Sequence, residues 1–284
     1  MRFEITIDDD DIKVRSPEGQ VRTMPLNELF LKLGQGDAHS GPLALPPGIK
    51  YVRTRGRVTV WVHQTQPQVW NLKWITADSP KPYGGASYRD VVVSLPYLIV
   101  VAVFEPGPDG RGGLSGSNEC FFRTAPLDRI DTDELLVPGL LNCSLYRDPR
   151  GSEPLGRDGC PVSWVCTEFL DRARFQGEPD ENRRMRLGFE VLMETLLSTG
   201  FNYSSEHHEL YSGFTANQGV DPRVATVEAW ETATRQDPEC SLTIPWLTTG
   251  YTLDQVLDRI FKHRGLGLNG ARSARDIVRA VTQE

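Results

Sequence analysis

The chain has 284 residues, enough for one large domain or two ordinary ones with a substantial core. Its 31 basic and 38 acidic side chains leave a formal charge of −7, which argues against a general polyanion-binding surface and so against nucleic acid as a partner. Hydrophobic content of 39% and charged content of 24% are ordinary for a globular protein.

Near the N-terminus, Phe3, Ile5 and Ile7 alternate as in a short strand, the aspartates from Asp8 to Asp11 make an acidic turn, and Ile12 to Val14 reads as a second strand. A small hairpin is expected there. The aspartates lack the glycine-punctuated spacing of a calcium loop and read as a solvated charge cluster. In MPLNELFLKLG, Leu26, Leu29, Phe30 and Leu33 recur at helical spacing and Gly34 can end the helix.

Beyond a proline-glycine segment at 41–48 the pattern changes to strand: GRVTVWVHQ, QVWNLKWIT, YRDVVVSL and YLIVVAVF follow one another, separated by turn residues. Val58, Val60 and Val62 share one face of the first. In the second, Val69, Asn71, Lys73 and Ile75 share one face, and Trp70, Leu72 and Trp74 the other. The expectation is an antiparallel four-stranded meander, one face of which packs against helices. LPYLIVVAVF is about half the roughly 20 residues a membrane-crossing helix needs and reads as a buried strand.

The last hundred residues read as helical. Met185, Phe189, Leu192, Met193 and Leu196 form one stripe between an N-cap at Asp180 and a stop at Gly200. Asp221-Pro222 opens a helix through Val224, Val227 and Trp230. Thr252 caps another, carrying Leu253, Val256, Leu257, Ile260 and Phe261, and Ser273 starts a short last one. The fold class expected is α+β, with three regions: an N-terminal hairpin and helix over 1–44, an α+β core over 45–170, and a helical part over 171–284.

Few motifs carry chemistry. GLGLNG at 265–270 has the letters of a phosphate-binding loop but follows a helix rather than a strand, so dinucleotide binding is not expected. There is no GxSxG elbow and no GK[ST] loop. Of the histidines only His207 and His208 are close in sequence, and adjacent residues cannot share a metal as an i, i+4 pair does, so neither a metal nor another cofactor is expected. The five cysteines are odd in number and contain no CxxC; with an N-terminus unlike a signal peptide, this fits a reducing cytoplasm. Cys143 stands apart: it ends the apolar run ELLVPGLLNC, follows Asn142 and precedes a proline- and glycine-rich loop. It is either a nucleophile with an amide beside it for an oxyanion, or a small apolar residue filling a core.

The succession LPPGIKYVRTRGRVTVWVHQTQPQVWNLKWI, VVVSLPYLIVVAVF and NECFFRTAPLDRIDTDELLVPGLLNCSLY resembles the divergent bacterial ubiquitin-conjugating-enzyme-like families, in particular the prokaryotic group that includes PRTRC system protein B. The resemblance covers about residues 45–170. It implies a four-stranded antiparallel meander, an irregular segment holding the active cysteine, and helices behind. By position Cys143 would accept a ubiquitin-like C-terminus as a thioester and Asn142 would serve the oxyanion. The family's His-Pro-Asn tripeptide is replaced by Val137-Pro138-Gly139, and His207 or His208 would have to substitute. The partners implied are a ubiquitin-like protein or a ThiF-like adenylating enzyme. Two readings follow: a protein-binding module of a mobile-element or ubiquitin-like system, or an active conjugating enzyme.

Overall fold

The computed structural model describes residues 4–8, 11–15, 19–25, 45–75, 88–107, 110–145, 160–167, 170–198 and 211–264. The N-terminal strands β1 (Glu4–Asp8), β2 (Asp11–Arg15) and β3 (Val21–Pro25) pair antiparallel into a three-stranded sheet of their own. The expected hairpin is there with a third strand added. Met24 and Pro25, expected at the start of a helix, end β3 instead, and the remainder of that helix lies outside the described residues.

A larger sheet follows. β4 (Ile49–Arg55) and β5 (Val58–Thr65) form a hairpin whose two-residue turn has Gly56 at φ 59°, the left-handed conformation that such a turn needs. Among the described residues β6 (Gln68–Ile75) and β7 (Tyr88–Leu95) pair only with each other. The chain then returns as β8 (Tyr97–Pro106), which pairs with β5 on one edge. Its other edge takes β10 (Glu119–Arg123) along its first half and β9 (Gly112–Leu114) along its second.

The expected meander is therefore corrected: β8, not β6, lies beside β5. Burial explains the order. In β8, Leu98, Val100, Ala102 and Phe104 enter one core while Ile99, Val101 and Val103 enter another, so this strand is apolar on both faces and belongs in the middle of the sheet. β6 and β7 are apolar on one face only. Leu72, Trp74, Val91 and Val93 are buried, while Val69 and Val92 are 41% and 45% exposed. Such a hairpin can only cover a sheet, and it contributes to the first core beside Trp61 and Phe104. Each large apolar side chain withdrawn from water in this way contributes about 1.5–3 kcal/mol.

After β10 come β11 (Glu134–Leu136), β12 (Cys143–Leu145) and β13 (Trp164–Val165), then α1 (Ala173–Gln176) and α2 (Glu181–Ser198). Asp180 Oδ1 accepts from the Arg183 amide at 2.7 Å, the N-cap expected for α2. The region beyond is not purely helical. β14 (Tyr211–Ser212) pairs with β12, and β15 (Thr248–Thr252) pairs with β11, so the C-terminal part completes the same sheet. Between them run α3 (Gly213–Asn217) and α4 (Val227–Gln236). The single helix expected from Asp221 is two pieces, a 3₁₀ turn at Pro222–Val224 under the Asp221 cap and then α4 under a separate cap, Thr226. α5 (Leu253–His263) starts with a capping box of Thr252 and Gln255, and its Leu253, Val256, Leu257, Ile260 and Phe261 close the second core. Gly200, the 265–270 segment and the helix expected from Ser273 lie outside the described residues. Among the described residues no helix is long and apolar enough to cross a membrane.

Candidate functional site

Cys143 is the first residue of β12 and is 0% exposed. The residue does not face water. Leu135, Val137, Leu140, Leu141 and Leu145 are buried with it, so the segment threads between the two cores instead of leaving them. Asn142 is also buried. Its Nδ2 donates to the Leu196 carbonyl of α2 at 2.9 Å, and its backbone carbonyl accepts from the Cys166 amide at 3.0 Å. What it turns toward the Cys143 sulfur, at 4.0 Å, is the acceptor oxygen Oδ1, the wrong end for stabilising an oxyanion. Burial pushes the thiol of Cys120 well up, and the adjoining Cys143 thiol adds to the effect. Cys120 thus resists forming a thiolate. His207 and His208 lie outside the described residues.

A second place has the features of a site. A cavity of about 310 Å³ opens between the start of β10, the 160–161 segment and the last turn of α5. Its polar lining includes Glu119, Cys160, Arg259, Lys262, His263 and Arg264. β10 must bring Glu119 inward because Cys120, Phe121 and Phe122 beside it are all buried. The carboxylate is 2% exposed, and Oε2 accepts from the Val162 amide at 2.8 Å and the Ser163 amide at 3.3 Å. Burial pushes its pKa up to about 7, against the pull of those amides and of Arg259 and Arg264. Near neutral pH this carboxyl is close to the midpoint of its titration, a property frequent in functional sites.

The cations are held in place. Arg259 Nη2 donates to the Cys160 carbonyl at 3.1 Å, and its guanidinium lies 5.2 Å from the centre of the Tyr251 ring. Arg264 Nε donates to Glu105 at 2.8 Å and Nη2 to the Ser115 hydroxyl at 3.2 Å. Lys262 and His263 are exposed at the mouth. Cys160 is half-buried, and the other four cysteines are buried. The cavity thus joins a half-buried cysteine, a carboxyl raised toward neutrality by burial and several cations, an arrangement suited to an anionic partner group.

Sequence reasoning missed this cavity because Glu119 and Arg264 are 145 positions apart in the chain. One signal existed: a carboxylate in front of the apolar run CFF has to be buried or break the strand. His63, in β5, packs 5.2 Å from the Phe189 ring, and burial pushes its pKa down, as for a structural histidine. Among the described residues no group of three or more His, Cys, Asp or Glu side chains is placed to hold a metal. The chain matches no family model, no curated protein and no solved structure.

Proposed function

We propose that the chain is a protein-binding module on a divergent ubiquitin-conjugating-like core, serving a bacterial mobile-element or ubiquitin-like system without thioester chemistry at Cys143. The observation that carries this reading is the burial of the Cys143 sulfur at 0% exposure, with the Asn142 amide group already committed to α2. Support for the core comes from pairing: β4, β5, β8 and β10 are neighbours in chain order and antiparallel throughout, once the β6–β7 hairpin and the three-residue β9 are set aside as insertions. The partner on this reading is a ubiquitin-like protein or a ThiF-like adenylating enzyme.

The test is reconstitution of the full chain with a ubiquitin-like protein, a ThiF-like adenylating enzyme and ATP. A complex that survives gel filtration, no reductant-sensitive adduct, and equal binding by Cys143→Ala are expected. A reductant-sensitive adduct that Cys143→Ala abolishes and Cys160→Ala retains would overturn the proposal in favour of an active conjugating enzyme. An adduct lost only in Cys160→Ala would also overturn the absence of chemistry, and would move the reaction to the cavity thiol.

A further inference from the structure

Arg184 has an environment that the fold alone does not explain. It sits in the first turn of α2 and is 4% exposed. Nε donates to the Gly112 carbonyl and Nη1 to the Glu178 carbonyl, each at 2.6 Å. Both acceptors are neutral backbone oxygens. Among the described residues no carboxylate pairs with it, and Nη2 receives no acceptor. A guanidinium cannot shed its proton to escape burial, so the charge is permanent and asks for a counter-ion.

The carboxylates of the neighbourhood are occupied or wet. Glu105 is engaged by Arg264 at 2.8 Å, Glu178 by Arg183 at 3.0 Å. Glu181, whose carboxylate lies over Gly112, is exposed, so solvent and salt screen it. Arg184 instead lines a half-open cavity of about 470 Å³, to which Arg111, Arg172, Phe175 and the glycine-rich stretch Gly112–Gly116 also contribute. β9 and α2 approach closely here: a Cβ on Gly188 would come within 3.2 Å of Leu114 Cβ, which fixes the helix and hence Arg184 against the glycine strand.

We propose that this cavity is a binding site for a phosphate-type oxyanion, with Nη2 of Arg184 and the guanidinium of Arg172 on the anion. It is independent of the protein-binding reading above and lies on the other side of the Glu105–Arg264–Ser115 bridge from the Glu119 cavity. Planar guanidinium forks match the paired oxygens of phosphate better than a halide or a single ammonium does. A half-open cavity of this size is larger than a phosphate group, which alone fills only part of it. An organic group attached to the phosphate has Phe175 and Leu114 to pack on, and a small phosphomonoester is the ligand class that uses the whole cavity.

Isothermal titration of the full chain tests this with three probes at matched ionic strength: sodium chloride, inorganic phosphate and glycerol phosphate. Saturable one-to-one binding of phosphate is expected, with glycerol phosphate about ten-fold tighter and chloride without effect. Equal affinities for the two phosphates would keep the oxyanion site and make free phosphate its ligand. Arg172→Gln, at a half-buried residue, is expected to weaken both by at least ten-fold with the fold intact by circular dichroism. Arg184→Gln is expected to abolish binding; should that variant not fold, Arg172→Gln alone decides. Phosphate heats that match those of chloride, or an Arg172→Gln variant that binds like the parent, would overturn the assignment.

Discussion

Replacing Glu119 by Gln should make the protein more stable at pH 8 than at pH 5 relative to the parent, and the size of the change follows from the site. Burial moves the carboxyl from an ordinary value of 4.5 to about 7. Below pH 4.5 the group is protonated in both folded and unfolded chains and contributes nothing to the difference. Between pH 4.5 and 7 the unfolded chain ionises while the folded one holds its proton. The unfolded state then binds fewer protons, and stability falls as pH rises. Above pH 7 both are ionised and the full penalty is present. A shift of about 2.5 units at 1.36 kcal/mol each gives about 3 kcal/mol. Gln keeps a carbonyl oxygen for the Val162 and Ser163 amides and cannot ionise, so the difference between variant and parent isolates Glu119 from every other titrating group. Urea unfolding at pH 4.5, 6, 7 and 8 measures it; with an m-value of about 3 kcal/mol/M the midpoint gap should widen by roughly 1 M over that range. A gap independent of pH would refute the argument that this carboxylate is held near neutrality by burial.

Further outcomes follow from the packing. Ellman's reagent should label Cys160 in the native protein at least roughly 100-fold faster than Cys143, since the latter needs an opening of about 3 kcal/mol; a fast phase lost in Cys143→Ala instead of Cys160→Ala would contradict the buried thiol. A Cβ on Gly213 would overlap the Pro138 carbonyl, so Gly213→Ala should lose about 3 kcal/mol or fail to fold, whereas Gly177→Ala, with open space around it, should stay within about 0.5 kcal/mol in thermal melts. Asn217 is 0% exposed; its Nδ2 reaches the Val137 and Gly213 carbonyls and its Oδ1 the Leu247 amide at 3.0 Å. Asn217→Ala strands the Leu247 N–H and should lose about 1–3 kcal/mol in denaturant titration, and a neutral result would show that the network is dispensable.

Much of the local structure was legible in the residues. The alternation of Val58, Val60 and Val62, the two-faced pattern of 68–75, the Asp180 and Thr252 caps and the stripe from Met185 to Leu196 depend on neighbours a few positions apart, and the structure has each of them. Pairing was harder, because consecutive strands with similar composition offer several orders. The deciding property was nonetheless written in LPYLIVVAVF, which has no polar face and so must take a central position, leaving 68–75 and 88–95 to cover it.

The sequence by itself therefore determined the α+β class, the starts of α2 and α5 at the Asp180 and Thr252 caps and which side of strands β5 and β6 is apolar, because these are set by periodicity and by capping groups. Only the tertiary structure decided that Cys143 is sealed, that Glu119 meets Arg259 and Arg264, and that Arg184 is buried without a carboxylate partner among the described residues. Those outcomes depend on the desolvation of groups brought together across 72 positions and more of chain, as from Gly112 to Arg184, and desolvation is a property of the packed surroundings that no single segment carries.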